Sequence, residues 1–476
     1  MRNAEQHWRR IAGGSSCAAR SAKQVLLPRL EPVGGFARLA NIIERPASRT
    51  ISSALIAWRP RKFVFAGKSG PMGSQTELKR ARVIVAGGGP VGALAAYQLA
   101  ITGIDTILLE ALPDCPEDMR ASTLHPPTLD MLDELGLLDE LDRIGLRAPI
   151  YQYRNRRSGE AIEFDLGELA DVSAHPYRLQ CEQYKIARLV IAKLDAMPTG
   201  QAIFNRRVLG YTQDSQGISV AVETPTAVEH FRADYLIGAD GANSTVRKWT
   251  GTEFQGFTYP ERFLTLSTRY PIEEHLDGLA NVNYVSDQDQ WYVLLRVPEF
   301  WRVLVPTEID TPAEDLLCDA NKDSVFGGLL GNDDNIETYH RTLYRVHQRV
   351  AANFRHGRVL LAGDAAHLNN PLGGFGMNSG VHDVWNLTRK LRDILIDGAD
   401  ADTALDLYDR QRRSVAKSFV QTQTIANKKM LEAGDGSGGR NQEIQMARIA
   451  RDDGLRRDYL MRQSMYESLQ QEADIR

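Results

Sequence analysis

Three segments of the chain join an apolar run to a glycine-rich turn, and the first has the spacing of a phosphate-binding loop. It satisfies the pattern GxGxxG with the residues Gly87, Gly88, Gly89, Pro90, Val91 and Gly92. The first glycine permits a tight strand-to-helix turn, the second lets the backbone approach a pyrophosphate, and the third allows close packing of helix on strand. Free N–H groups at the start of the helix would face the phosphates.

The elements predicted around this turn match a dinucleotide-binding unit. Residues 82–86 form a β-branched apolar run typical of a buried parallel strand, and residues 93–100 are rich in alanine and leucine, as in a helix. A second apolar strand, 106–109, ends in Glu110, where a carboxylate can accept hydrogen bonds from ribose hydroxyl groups. This motif alone does not distinguish FAD from NAD.

The second segment runs from an apolar strand at 235–238 through Gly-Ala-Asp-Gly to Ser244 and Arg247. Asp240 is its candidate ligand-binding carboxylate. The residues alone leave a second interpretation open, because Asp240 or Ser244 would also serve as an ordinary helix N-cap.

The third segment, 357–378, again joins a strand to a helix through a carboxylate and several glycines. Asp364 follows the strand and is well suited to bind a polyol hydroxyl group. A glycine-rich turn can direct main-chain N–H groups at an anionic or carbonyl-bearing ligand, and we predict this role for 376–378. His367 has no other His or Cys close in sequence, so we interpret it as a packing or hydrogen-bonding residue.

Together the three segments resemble the FAD-dependent aromatic hydroxylases, the superfamily of para-hydroxybenzoate hydroxylase. The likeness rests on GxGxxG, on GADGANSTVR at 238–247 and on GDAAH at 363–367, which occur in this order, and it covers about 72–430. It implies an α/β fold with an α+β insert. A Rossmann-like FAD-binding domain of the GR2 type would be interwoven with an antiparallel-sheet substrate domain and followed by a helical C-terminus.

The resemblance predicts discontinuous domains. The FAD-binding domain would comprise 72–150, 176–252 and 345–400, the substrate-binding sheet 151–175 and 253–344, and the C-terminal helices 401–476.

The resemblance also implies roles for single residues around FAD. The first motif would hold the ADP pyrophosphate, Glu110 the adenosine ribose and Asp364 the ribityl chain. Arg120 matches an arginine that reaches the pyrophosphate. Gln183 matches a FAD-contacting glutamine, with Gln180 as a nearby alternative.

Further contacts would surround the flavin ring. Asp240 belongs to a motif that the family associates with both FAD and NAD(P)H. The isoalloxazine ring would lie along the segment 371–378, which contains Pro371, Leu372, Gly374 and Gly376. The main chain of Met377 and Asn378 would lie near its pyrimidine edge.

Short runs of β-forming residues within 253–310 predict an antiparallel sheet. In the family, such a sheet forms one wall of the substrate pocket. The aromatic candidates are Tyr284, Trp291, Tyr292 and Trp301, each of which is more simply explained as sheet core or surface. Arg296 and Arg302 could pair with a substrate carboxylate or form surface ion pairs. The residues selected as substrate-binding are Tyr284, Trp291, Arg296 and Leu372.

The implied activity is monooxygenation of an aromatic small molecule. NADPH or NADH would reduce FAD, reduced flavin would take up O2 as a C4a-hydroperoxide, and oxygen would pass to a phenolic ring. Pro371 would flank the flavin; we identify neither a catalytic side chain nor a metal site. Two alternatives stay open: a flavin epoxidase or reductase acting on a polycyclic or isoprenoid substrate, and a non-catalytic flavin-binding regulator.

The composition is that of a globular protein and gives no reason to expect a nucleic-acid partner. The 476 residues are 43% apolar and 25% charged, with a formal net charge of −4. No apolar stretch of about 18 residues predicts a transmembrane segment. Four cysteines without a CxxC pair predict reduced thiols and a cytoplasmic location. A homodimer is the common state of the family.

The charge is divided unevenly along the chain. Residues 1–71 contain 13 Lys and Arg against three acids, a net +10, and the remainder carries −14. This basic extension has three interpretations: sequence upstream of a true start at Met72, an organelle transit peptide that would make the protein mitochondrial, or a functional basic arm.

Overall fold

A computed structural model describes residues 79–115, 117, 119, 121–287, 290–332, 335–432 and 437–476. The predictions for 1–71 and for Arg120 lie outside these residues.

The described residues form 21 strands. In chain order these are β1 (Lys79–Arg80), β2 (Val83–Ala86), β3 (Thr106–Leu109), β4 (Thr123–Leu124), β5 (Leu146–Ala148), β6 (Ile150–Asn155), β7 (Ala161–Asp165), β8 (Arg178–Gln180), β9 (Gly200–Ile203), β10 (Arg207–Asp214), β11 (Gly217–Glu223), β12 (Val228–Ala233), β13 (Tyr235–Gly238), β14 (Phe254–Thr268), β15 (Val282–Ser286), β16 (Tyr292–Arg296), β17 (Trp301–Pro306), β18 (His340–Ala351), β19 (Arg355–His356), β20 (Val359–Leu361) and β21 (His367–Leu368).

The same residues form 13 α-helices. These are α1 (Pro90–Ile101), α2 (Pro126–Glu134), α3 (Leu138–Ile144), α4 (Gln183–Asp195), α5 (Thr245–Thr250), α6 (Ala313–Leu317), α7 (Asp319–Leu330), α8 (Phe375–Leu395), α9 (Ala401–Val415), α10 (Gln421–Glu432), α11 (Ser437–Arg451), α12 (Asp453–Gln463) and α13 (Tyr466–Asp474).

A six-stranded sheet in the order β19-β20-β13-β2-β3-β9 carries the three glycine-rich turns. All its neighbours are parallel except the edge pair β19–β20. Strands β2, β3 and β13 are buried along their whole length, as is usual for parallel strands covered by helices on both faces. Because parallel strands end at one edge, the turns after β2, β13 and β20 meet there.

An eight-stranded sheet in the order β21-β18-β14-β17-β16-β15-β6-β7 lies beside the first. It is antiparallel except for the pair β6–β15. Side chains alternate between its faces. On β17, Trp301, Val303 and Val305 belong to a core cluster with Phe326 of α7, so Arg302 and Leu304 project from the opposite face.

Two smaller sheets complete the architecture. The order β1-β12-β11-β10 is an antiparallel meander to which β1 is added in parallel, and β4-β8-β5 is antiparallel. Strands of the two large sheets alternate along the chain, and Leu78–Arg476 forms one compact unit. The α/β fold class with its sheet insert and helical C-terminus is thereby confirmed. Strand β21 and the second half of β18 belong to the eight-stranded sheet, although they fall within the predicted FAD segment 345–400.

Four ionisable side chains connect the third glycine-rich turn to the C-terminal helices. Asp383 Oδ2 accepts a hydrogen bond from Gly363 N at 3.0 Å and lies 2.8 Å from His367 Nε2, while its Oδ1 accepts one from Arg412 Nε at 2.7 Å. Arg412 Nη1 donates to Glu472 of α13 at 2.5 Å. Although burial alone would raise the pKa of Asp383, His367 and Arg412 hold it below its usual value. His367 thus has the hydrogen-bonding role predicted for it.

We expect Asp383→Asn to lower the free energy of unfolding by about 3–5 kcal/mol, because it removes the charge that compensates a buried guanidinium. Urea unfolding of the purified protein measures this. Asp393→Asn in the same helix is the matched control: its half-exposed carboxylate pairs with Arg392 at 3.4 Å, and the change should stay within about 0.5 kcal/mol. Equal losses in the two variants would contradict the assigned role of Asp383.

Candidate active site

The first glycine-rich turn leaves open space where a ligand backbone would approach. Gly87 has φ +108°, and a side chain there would overlap the carbonyl group of Ala239. A methyl group at Gly92 would overlap the carbonyl oxygen of Gly87, so this glycine serves helix–strand packing. At Gly89, by contrast, an added Cβ would meet no protein atom within 4 Å. The turn therefore has the shape that close approach of a pyrophosphate requires.

Glu110 stands directly after β3 and braces this turn. Its Oε2 accepts a hydrogen bond from Gly88 N at 2.6 Å, and its Oε1 accepts one from Leu112 N at 2.9 Å. The carboxylate also lines the cavity at the sheet edge, where it can reach ribose hydroxyl groups.

Asp240 caps the start of α5, which is one of the two roles that the sequence left open. It also lines the cavity. Its Oδ2 accepts hydrogen bonds from Thr245 N at 2.7 Å and Val246 N at 3.1 Å, and its Oδ1 accepts one from the Ser244 hydroxyl. Ser244 is itself the N-cap of α5 and accepts from Arg247 N at 2.9 Å.

Asp364 is the exposed residue of the turn Gly363–Ala365, whose other two residues are buried, and it borders the cavity. Arg247 fixes this turn from behind, donating to the carbonyl oxygens of Ala365 at 3.0 Å and Ala242 at 2.6 Å. Burial lowers the pKa of this arginine from its ordinary value. The second and third glycine-rich turns are therefore held together by one side chain.

The turn before α8 has glycines where the backbone requires them. Gly373 and Gly374 have φ of +106° and +74°, in the left-handed region that favours glycine. His125 Nε2 lies 2.7 Å from the Gly373 carbonyl oxygen, and Asn378 Nδ2 donates to the Gly374 carbonyl at 2.6 Å. With these carbonyl groups held inside, the N–H groups at the start of α8 remain on the cavity side, where Gly376 lies.

A cavity of about 560 Å³ joins these turns to the eight-stranded sheet. Its size is within the range of ligand-binding pockets. The predicted residues on its wall are Gly87, Gly89, Pro90, Val91, Glu110, Gln183, Asp240, Tyr284, Asp364, Pro371, Leu372, Gly374, Gly376 and Met377.

Four predicted residues have other positions. Gly92 packs against the turn, as its place in the motif predicts. The Asn378 side chain hydrogen-bonds main-chain groups of Thr123, Gly374 and His125, and the role predicted for its main chain stays a prediction. Trp291 is buried edge-on against Phe263, with ring centroids 5.3 Å apart. Arg296 lies 4.0 Å from Glu273 and over the Trp301 ring. Trp291 and Arg296 are therefore not brought to the cavity.

For some residues the sequence left alternatives open, and the structure places these alternatives at different distances from the cavity. Gln183 lines the cavity, whereas the Gln180 side chain accepts a hydrogen bond from Thr123 at 3.0 Å. Tyr292 and Trp301 belong to the core on the far face of the sheet. Arg302 is 4% exposed, lines the cavity, and donates to the Ser122 hydroxyl at 3.2 Å.

Several cavity residues were not selected from the sequence, among them Ser122, Thr123, Thr265, Tyr344, Arg345 and His347. Strand alternation would not have selected those on β18, because the consecutive residues Tyr344, Arg345, Val346 and His347 all line the cavity. Burial, with Arg349 and Arg345 nearby, lowers the pKa of His347.

Within the described ranges, no group of three His, Cys, Asp or Glu side chains could hold a metal ion. No helix in that part of the chain is long and apolar enough to cross a membrane.

The chain matches the FAD binding domain family over residues 80–423. It is 32% identical over 384 residues to para-nitrophenol 4-monooxygenase of Pseudomonas sp. (strain WBC-3), covering 80% of this chain and 94% of that protein. It is 33% identical over 385 residues to 6-hydroxy-3-succinoylpyridine 3-monooxygenase of Pseudomonas putida (strain DSM 28022 / S16), covering 80% and 96%.

A solved structure shows the same architecture. The crystal structure of p-nitrophenol 4-monooxygenase from Pseudomonas putida DLL-E4 superposes with a TM-score of 0.77 at 30% identity, covering 82% of this chain and 99% of that one. The chain therefore belongs to the family defined by this FAD-binding domain. Within that family it is a FAD-dependent monooxygenase of the aromatic hydroxylase type, and its cofactor is FAD.

The motif can be tested by adding one methyl group at two positions. Gly89→Ala should fold normally but bind FAD at least about 10-fold more weakly, because its Cβ would enter the ligand space. Gly92→Ala should instead lower the free energy of unfolding by roughly 1–3 kcal/mol, since its Cβ has no room. Fluorescence titration of apoprotein with FAD and urea unfolding measure the two effects. A Gly89→Ala variant with unchanged FAD affinity would argue against this pyrophosphate site.

Proposed function

We propose that the enzyme hydroxylates a phenol or hydroxypyridine at the ring carbon para to the hydroxyl group, a carbon that already carries a substituent. FAD, once reduced by NAD(P)H, supplies the activation of O2 for this insertion. The position of hydroxylation is the new element of the proposal, and the chain's own residues supply binding, orientation and exclusion of water.

The names of two relatives support this position. In para-nitrophenol, carbon 4 bears the nitro group and lies para to the hydroxyl group. In 6-hydroxy-3-succinoylpyridine, carbon 3 bears the succinoyl group and lies para to carbon 6. Both relatives are named for oxygenation at that substituted carbon, and both are about one-third identical to this chain.

The observation that supports binding of a phenolic ring is the cavity wall formed by the eight-stranded sheet. Strand register places Leu295 beside Arg302, Leu304 beside Val293, and Val293 beside Tyr284, and all five side chains line the cavity. This is an apolar surface for a flat ring with one buried guanidinium at its side. Such an arrangement suits a ring that carries an anionic oxygen, because a charge-assisted hydrogen bond is strongest where water is excluded.

The opposite side of the ring would face the turn of Pro371 and Leu372. Leu372 is 1% exposed, and its carbonyl oxygen accepts a hydrogen bond from Asn427 Nδ2 at 3.1 Å. This anchored turn and the apolar sheet face would hold the ring between them and exclude water from the reacting atoms, which prevents side reactions.

We also propose a homodimer in the cytoplasm, on the family resemblance and on the cysteine pattern of the sequence. Cys115 and Cys181 form no disulfide bond, and burial raises the pKa of Cys181 to about 12. Size-exclusion chromatography with light scattering tests the oligomeric state. The relatives favour aromatic hydroxylation over the epoxidase, reductase and non-catalytic alternatives.

Product analysis with 4-nitrophenol, NADPH and O2 tests the position of hydroxylation. We expect nitrite in a one-to-one ratio to the phenol consumed, because oxygen bonds to carbon 4 while the nitro group leaves. Formation of 4-nitrocatechol without nitrite would place the oxygen at the ortho carbon and overturn the proposal. NADPH oxidation that yields only hydrogen peroxide would exclude this compound as a substrate.

Two arginines on neighbouring strands form a matched pair for the binding site. Arg302→Met should raise KM for phenolic substrates roughly 10- to 100-fold, the loss expected for a buried charge-assisted hydrogen bond. Arg296→Met, at a residue that lies against Glu273 and away from the cavity, should leave KM within about 2-fold. Steady-state NADPH oxidation measures both. A larger effect at Arg296 than at Arg302 would contradict the assignment.

A further inference from the structure

One face of the three-stranded sheet carries buried polar side chains just behind the cavity wall. Arg178 and Gln180 alternate on β8, and Thr123 and His125 alternate on β4 and the residue after it. None of the four is more than 7% exposed. Thr123 and His125 both lie against Gly374, and Thr123 itself lines the cavity.

Several polar atoms on this face have no hydrogen-bond partner among the described residues. They are Arg178 Nε, Arg178 Nη1, Gln180 Nε2 and His125 Nδ1. The remaining nitrogen of Arg178, Nη2, reaches only the carbonyl oxygen of Gln463 at 3.5 Å. Its guanidinium lies 4.2 Å from the centroid of the Tyr151 ring. Within the described part of the chain, no carboxylate pairs with Arg178, although its side chain is fully buried.

The titratable groups around Arg178 add no negative charge. Burial and the neighbouring guanidinium hold the pKa of His125 well below its usual value, so this ring is neutral. Burial raises the pKa of Tyr151 and of Tyr459, so both hydroxyl groups keep their protons. Ordered water could satisfy the N–H groups of Arg178 but would not neutralise its charge. Burying a cation without a compensating charge costs folding free energy unless a bound anion neutralises it.

Two side chains in series, Tyr151 and Tyr284, separate Arg178 from the cavity. Tyr284 lines the cavity and packs edge-on against Tyr151, with ring centroids 6.4 Å apart. On the other side, Gln180 accepts the hydrogen bond of the cavity residue Thr123. Charge acts across these side chains with little screening, because the interior has a low effective dielectric constant.

We propose that Arg178 is a positioning residue whose buried charge stabilises the phenolate form of the bound substrate from behind the cavity wall. The proposal rests on the function proposed above and adds a residue outside the cavity wall that favours the anionic form of the bound phenol. Arg302 would touch the substrate directly, whereas Arg178 acts through Tyr151 and Tyr284. The enzyme would therefore select phenols that bind as anions.

The test uses oxidised holoenzyme without NAD(P)H, so that 4-nitrophenol binds but does not react. The phenolate absorption band, followed against pH, gives the pKa of the bound phenol. We expect wild-type enzyme to bind phenolate at pH values below those at which free 4-nitrophenol ionises. Arg178→Met should raise the pKa of the bound phenol by about one pH unit, and Arg178→Lys should restore most of the difference.

Gln180→Leu is the control, because it removes a polar group from the same face without changing the charge. It should leave the pKa of the bound phenol unchanged. An Arg178→Met variant that retains FAD and shows the wild-type phenol titration would overturn the proposal. If that variant does not retain FAD, the titration of phenol bound to wild-type enzyme tests the proposal instead. Wild-type enzyme that binds only the neutral phenol would contradict the role of Arg178.

The outcomes also separate this proposal from the proposed function. Absence of any phenol binding by wild-type enzyme would refute both. Binding and nitrite release with an unchanged phenol titration in Arg178→Met would refute only the role of Arg178.

Discussion

The buried guanidinium of Arg247 is the interaction on which the ligand-binding edge depends. It donates to carbonyl oxygens in the second and third glycine-rich turns, and its plane lies 3.8 Å from the Phe254 ring centroid at the start of β14. Carbonyl groups and an aromatic face suit a planar cation with several donors. One side chain therefore links two turns of the parallel sheet to the first long strand of the substrate sheet. A site built from distant segments needs such a link, because Ala242 and Ala365 are far apart in sequence.

Much of the ligand-binding edge could be predicted from the sequence because its determinants are local. The roles of Gly87 and Gly92 follow from sterics within a few residues, and the structure shows both contacts. Asp240 could not be assigned from the sequence, which left a ligand-binding role and a helix-capping role open. The structure makes the two roles compatible, since one carboxylate caps α5 and borders the cavity.

The substrate wall was harder to predict, because a strand pattern does not reveal which face is inside. Both faces of the eight-stranded sheet are apolar: one packs on α7, and the other lines the cavity. Alternation shows that Trp301 and Arg302 point opposite ways but not which one meets the ligand. The choice depends on α7, whose packing on the sheet is a tertiary contact. Ser122, the partner of Arg302, lies 180 residues away, which no local pattern reveals.

Arg178 and Arg412 are both buried arginines, but they differ in whether a carboxylate neutralises their charge. Both guanidinium groups are fully buried. Arg412 is compensated by Asp383 and Glu472, so its field is largely cancelled and its contribution is structural. Arg178 has an aromatic face and one carbonyl oxygen instead, so its field is not cancelled and extends to the cavity. Folding alone would favour a neutral side chain at position 178, because burying an uncompensated charge is costly. This cost is offset when a bound ligand supplies the missing negative charge. An arginine at position 178 therefore favours the protein with an anion bound over the protein without a ligand.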